Sequence, residues 1–141
     1  MRRGIFVLRD DRANYQGNAI WSPGGKNGEF SAVTVSHTQD NFAVFGFGDN
    51  KGWIVTYDKK AAVKDQRSHA IGQFTSFYDA ARLESGYVAV GNTLSGQGPF
   101  KALVARLDKK GQLLWNKQFS DQNSMLAGAV AVSNDGKSFG V

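Results

Sequence analysis

The 141-residue sequence predicts an all-β protein made of about three tandem four-stranded antiparallel repeats. Three observations predict it. A short apolar motif closing on aspartate recurs with a period of roughly 48 residues. Each apolar run is brief and alternates, which is the period of a strand rather than of a helix. Glycine is abundant (17 residues) and proline scarce (2), as suits short strands joined by tight turns.

In chain order, the first strand is expected near 4–9, where Ile5-Phe6-Val7-Leu8-Arg9 ends in Asp10. The second is expected near 17–22, around Gly17-Asn18-Ala19-Ile20-Trp21. Two whole repeats follow, near 30–67 and 74–119, and a final pair of strands lies near 125–132 and 137–141. Writing each repeat as strands a to d, the chain opens with c and d and closes with a and b. The repeats divide the chain at 1–23, 24–68, 69–120 and 121–141.

Four registers support the repeat. The aspartate motif recurs as Trp53-Ile54-Val55-Thr56-Tyr57-Asp58 and as Leu103-Val104-Ala105-Arg106-Leu107-Asp108. Val33-Thr34-Val35, Ala81-Arg82-Leu83 and Val130-Ala131-Val132 form a second series, and Phe45-Gly46, Val90-Gly91 and Phe139-Gly140 a third. The fourth aligns Gly17 to Trp21 with Gly111 to Trp115, the middle copy Ala61 to Asp65 having lost both Gly and Trp. Within 102–107, Leu103, Ala105 and Leu107 share one face of a strand, with Val104 and Arg106 on the other. Turns are expected at Asp49-Asn50-Lys51-Gly52, Ser85-Gly86, Asp108-Lys109-Lys110-Gly111 and Asn134-Asp135-Gly136-Lys137. Gln73 to Leu83 also fits a helical pattern, with Phe74, Phe77 and Ala81 on one face. Its counterparts in the other copies do not, so a strand is expected there.

Twelve short antiparallel strands, four per repeat, are expected to form about three blades of a β-propeller and an incomplete ring, since closed propellers usually have four to eight blades. The hairpin Ala102-Leu103-Val104-Ala105-Arg106-Leu107-Asp108-Lys109-Lys110-Gly111-Gln112-Leu113-Leu114-Trp115 resembles the blade signature of quinoprotein-type (PQQ-like) β-propeller repeats. Ser85-Gly86-Tyr87-Val88-Ala89-Val90-Gly91-Asn92-Thr93 resembles the preceding hairpin in related bacterial cell-envelope propellers. The resemblance is good over 77–119, partial over 4–21 and 30–58, and weak over 125–141. It implies a propeller fold and leans toward an exported or cell-envelope setting, with no quinone site carried over. The chain is expected to be a fragment of a longer protein or to self-associate to complete a propeller.

The composition narrows the function classes. Without cysteine, disulfides, thiolate catalysis and cysteine-held zinc are excluded. No apolar run approaches the roughly 20 residues of a membrane helix, and the short run after Arg2-Arg3 is not expected to be an export signal. The net charge is +5, but the basic residues fall in scattered turn pairs such as Lys59-Lys60 and Lys109-Lys110, so a nucleic-acid partner is not expected.

No catalytic, cofactor-binding or metal-ligating residues are expected. His37, placed at an a–b turn, and His69, placed in a d–a loop, have no partner at metal-ligand spacing. Gly91 to Gly98 lacks the Lys-Ser/Thr of a phosphate loop, and Gly46-Phe47-Gly48 lacks the third glycine of a dinucleotide fingerprint. Asp10, Asp58 and Asp108 are expected to cap their own turns, and Trp21 and Trp115 to anchor packing between sheets.

Function is expected in loops 22–29, 46–52, 66–73, 91–101 and 117–124, by analogy with propellers, which bind at one face. Candidate partner-binding residues are Lys26, Asp49, Asn50, Lys51, Arg67, His69, Asn92, Thr93 and Phe100. The reading is a non-enzymatic binding or scaffold segment presenting loops to a protein or polysaccharide. The alternative is a fragment of a propeller enzyme, a quinone-dependent dehydrogenase or a glycan-active hydrolase or lyase, with its active site mostly outside this chain.

Overall fold

A computed structural model describes residues 2–37 and 42–141. Among the described residues there are twelve strands, one short 3-10 turn at Pro23–Gly25 and no α-helix. The strands are β1 (Gly4–Arg9), β2 (Tyr15–Trp21), β3 (Gly28–Val35), β4 (Phe42–Gly48), β5 (Lys51–Tyr57) and β6 (Val63–His69). They continue with β7 (Phe74–Leu83), β8 (Gly86–Leu94), β9 (Lys101–Leu107), β10 (Leu113–Phe119), β11 (Ala131–Val132) and β12 (Phe139–Gly140). The stretch with helical periodicity is the strand β7.

Four open antiparallel sheets result: β1-β2, β3-β4-β5-β6, β7-β8-β9-β10 and β11-β12. Each strand pairs only with sequence neighbours, because hairpin turns join them. The sheets stack face to face in chain order, and three apolar layers fill the gaps. Phe6, Trp21, Val44, Val55, Tyr57 and Ala61 lie between the first two sheets. Phe6 stacks on Tyr57 at 4.7 Å and Trp21 on Phe30 at 4.8 Å. Phe45, Ile54, Phe77, Tyr87, Leu103 and Leu107 fill the central layer, and Leu83, Val88, Val90, Val104 and Ala127 the last. As the alternation predicts, Leu103, Ala105 and Leu107 face one neighbouring sheet and Val104 the other.

The glycines of the third register have a steric cause. Opposite Gly46, β3 bulges between Phe30 and Ala32, and opposite Gly91, β7 bulges between Phe77 and Asp79. The bulges push the Glu29 and Ser76 carbonyl oxygens to 1.9 Å and 2.0 Å from where a Cβ would sit, so only glycine fits. These bulges also place the a strands 47 residues apart, one fewer than the second register supposes. That register aligned Val33 with Ala81, whereas the pairing matches it to Ala80. The third register fails at its last member, because Phe45 packs forward on the next sheet while Phe139 packs backward on the preceding one.

The three aspartates build the same turn three times. Oδ1 of Asp10 accepts the N–H groups of Arg12 and Asn14 at 2.9 and 2.8 Å. Oδ1 of Asp58 accepts those of Lys60 and Ala62, and Oδ1 of Asp108 those of Lys110 and Gln112. Three residues after each aspartate the backbone is left-handed, at Ala13 (φ 63), Ala61 (φ 61) and Gly111 (φ 78).

This turn corrects the fourth register. The counterpart of Gly111 is Ala13, not Gly17, so the Gly17–Trp21 alignment is four residues out. Trp21 pairs with Gly4, His69 with Gly52 and Phe119 with Ala102, each partner standing six residues before its aspartate. The middle copy has therefore lost nothing at the turn, since Ala61 holds the same conformation. Trp21 is 5% exposed and anchors packing as expected, but Trp115 is 41% exposed and does not.

Candidate functional site

The meander sends the β2–β3, β4–β5, β6–β7 and β8–β9 connections to one end of the stack. There the Asp49-Asn50 turn joins β4 to β5, with Gly48 paired to Lys51 and both turn residues left-handed (φ 50 and 61). This is the two-residue turn whose twist matches that of the strands it joins. Lys51 is thus the first residue of β5 rather than a loop residue.

Lys26 reaches across to this turn, its Nζ 2.8 Å from Asp49 Oδ1. The hydrogen bond from Lys26 holds the exposed Asp49 carboxyl below its ordinary pKa. The Asn50 carbonyl oxygen accepts the N–H of Thr75 at 3.0 Å, which ties the turn to β7. Arg2 completes the rim: its N–H donates to Asn27 Oδ1 at 2.9 Å, its carbonyl accepts the Gly28 N–H, and its guanidinium lies 3.6 Å from Glu29. A cleft of about 240 Å³ opens between Arg2, Asn27, Glu29, Phe47, Asn50 and Phe74.

A row of partly exposed aromatic rings continues from that cleft. Phe47 lies 6.5 Å from Phe74, and Phe74 lies edge-on to Phe100 at 5.7 Å. Phe100 is held by its backbone, whose N–H donates to Ser124 Oγ at 3.2 Å and whose carbonyl accepts the Met125 N–H at 2.8 Å. Lys26, Asp49, Asn50 and Phe100 therefore gather at one end, around rings supplied by Phe47 and Phe74.

The other candidates lie elsewhere. Asn92 and Thr93 are inside β8, 8% and 0% exposed. Asn92 Oδ1 accepts the Ser76 hydroxyl at 2.6 Å, and Thr93 Oγ1 meets the Phe74 carbonyl at 2.9 Å. They satisfy buried polar groups and cannot reach a partner. Arg67 and His69 belong to β6, not to a loop. Arg67 Nε donates to the Lys110 carbonyl at 2.8 Å, and His69 Nε2 lies 2.9 Å from that of Gly111, so both bind the next sheet. β6 reads Val-Lys-Asp-Gln-Arg-Ser-His, a polar edge strand with no alternation to extend it in sequence. His37, just after β3, accepts no such role either: its N–H donates to the Tyr87 hydroxyl at 2.9 Å and its Nε2 lies 2.8 Å from the Gly86 carbonyl.

Sequence reasoning missed Arg2, Phe47 and Phe74. Phe47 and Phe74 stand at the ends of their strands beside turns, where an apolar ring has no covering neighbour, and that position was the available signal. Among the described residues, no group of three or more His, Asp or Glu side chains is placed to hold a metal ion. Nor is any helix among them long and apolar enough to cross a membrane. Compared with models of known protein families and with curated proteins, the chain has no match.

Proposed function

We propose that the chain is a non-enzymatic segment of a β-propeller that presents its loop end to a partner protein. The observation that carries this is the Phe47-Phe74-Phe100 row, partly exposed and rimmed by Lys26, Asp49, Arg2 and Asn50. Aromatic centres with polar rims characterise protein interfaces. Phenylalanine, with no polar tip, favours an apolar side chain of a protein over the hydroxyls of a sugar. The propeller reading is supported by four-stranded meanders stacked face to face on a near-constant spacing.

A photo-crosslinking residue placed at Lys26, with one at Lys59 on the opposite end as control, tests the reading in cells. Protein adducts from position 26 alone, lost when Phe74 and Phe100 are both changed to serine, are the expected result. Equal labelling from both positions overturns it. Retardation in polysaccharide-containing gels, abolished by the same serine pair, replaces the protein by a glycan as partner.

A further inference from the structure

A cluster of cations lines the seam between the two four-stranded sheets, at the end away from Phe47 and Phe74. There β6 faces the turn that joins β9 to β10. A cleft of about 360 Å³ opens between them, lined by Lys64 and Arg67 from β6 and by Lys109 and Lys110 from the turn. Ile54 and Tyr87, 3% and 1% exposed, close its floor.

Arg67 holds the two walls together. Its Nε donates to the Lys110 carbonyl at 2.8 Å and lies 3.2 Å from Asp65. Among the described residues, Asp65 is the one carboxylate lining the cleft, so four cations surround one anion. Lys64, Lys109 and Lys110 form no ion pair with any described carboxylate. The nearby Asp58 and Asp108 each accept two N–H groups of their own turns. Further positive charge stands alongside: Arg82 lies 3.4 Å from His37, whose N–H donates to the Tyr87 hydroxyl. Burial first, and the charges of Arg82 and Lys109 after it, push the His37 imidazole below its ordinary range against the Gly86 bond.

The preceding seam supplies a comparison within the chain. There the turn between β5 and β6 carries Lys59 and Lys60 and rests on β2, with Gly17 beside the Lys60 carbonyl. Strand pairing makes Gln16 the counterpart of Lys64 and Ala19 that of Arg67. The turn lysines are thus repeated, but the facing strand is cationic only at the second seam. Like charges held together repel, and an anion that joins them relieves the repulsion.

We propose that this cleft binds a small molecule carrying a phosphate group with at least two negative charges. Lysine ammonium groups are point charges that close round a tetrahedral oxyanion from any direction. Arg67 has its Nε committed to a carbonyl, so it adds charge rather than the planar fork that favours a carboxylate. The cations fill one cleft and do not continue as a stripe, which fits a small molecule and not a polymer. The cleft falls in the lower part of the size range of ligand pockets, about 300–1,000 Å³. This site and the partner proposed for the loop end are independent.

Calorimetric titration of the whole chain with pyrophosphate at low ionic strength tests the proposal. Saturable binding is expected, weakened by added salt, with backbone amide shifts centred on Lys64 and on Lys109 to Gly111. Lys64→Gln together with Lys110→Gln, both at exposed side chains, is expected to keep the fold and weaken binding about tenfold or more. Lys59→Gln with Lys60→Gln removes the same charge from the preceding turn and should change it less than about twofold. No saturable binding overturns the proposal. So does equal weakening by the two pairs, which marks a response to net charge alone, or citrate binding as tightly as pyrophosphate.

Discussion

His69 Nε2 lies 2.9 Å from the carbonyl oxygen of Gly111, which ties the outer edge of one four-stranded sheet to a turn of the next. A carbonyl oxygen only accepts, so the neutral ring carries its proton on Nε2. Burial pushes the imidazole pKa below its usual 6.5, with Arg67 acting the same way and the Gly111 bond opposing. Burial likewise lowers His37, beside Arg82. The folded protein therefore binds fewer protons than the unfolded chain near the histidine pKa. This contribution to stability is present above about pH 6.5 and is lost as pH falls through the folded pKa values. The urea midpoint is expected to drop between about pH 7.5 and pH 5. His69→Gln should flatten that dependence in part, leaving the share due to His37.

Trp21 and Trp115 are expected to behave oppositely despite their shared residue type. Trp21 is stacked on Phe30 and edge-on to Trp53, and Trp21→Ala should cost about 3–5 kcal/mol. Trp115→Ala, at a side chain 41% exposed, should change stability by no more than about 0.5 kcal/mol. Urea unfolding of both variants checks the contrast.

Ala13 is an exposed alanine held in the left-handed region at φ 63, where its counterpart is Gly111. That conformation costs an L-residue about 1–2 kcal/mol, and glycine adds back about 0.4–1 kcal/mol of unfolded-state entropy. Ala13→Gly is therefore expected to range from neutral to stabilising by about 1.5 kcal/mol. Thermal unfolding reads the gain. The reverse change, Gly111→Ala, brings a Cβ to 3.1 Å from Ile54 and should destabilise.

Asn92 was a candidate for partner contact and is instead half of a buried pair with Ser76. Asn92→Ala leaves the Ser76 hydroxyl without its acceptor in a site 0% exposed, at a cost of about 1–3 kcal/mol. Crosslinking from Lys26 should be unchanged by it under conditions where the variant is folded.

The strands were legible because their signal is local. Asp58 and Asp108 end runs whose alternation survives in the buried faces, and the turn that follows each is written in its own residues. The Trp21–Trp115 alignment failed because residue identity is not what that position demands. Backbone pairing makes Trp21, His69 and Phe119 equivalent, and Trp21 and His69 meet the following sheet with different side chains while Phe119 stays half exposed. Half of the loop-end cluster was legible through turn chemistry, as at Asp49-Asn50. Asn92 and Thr93 were misplaced because polarity suggests a loop, whereas inside the fold Asn92 accepts the Ser76 hydroxyl and the Thr93 hydroxyl donates to backbone carbonyls. Phe47 and Phe74 escaped notice because a sequence does not distinguish a ring that ends in the core from one that ends just short of it.

The nearest-neighbour order of the strands also governs how the chain acquires its shape. Every pairing from β1 with β2 to β11 with β12 closes a short segment, so little entropy is lost before each hairpin gains its bonds. Such local pairing places the chain among the faster folders of its class. Each sheet can assemble as soon as its last strand leaves the ribosome, and the one behind it then serves as its template.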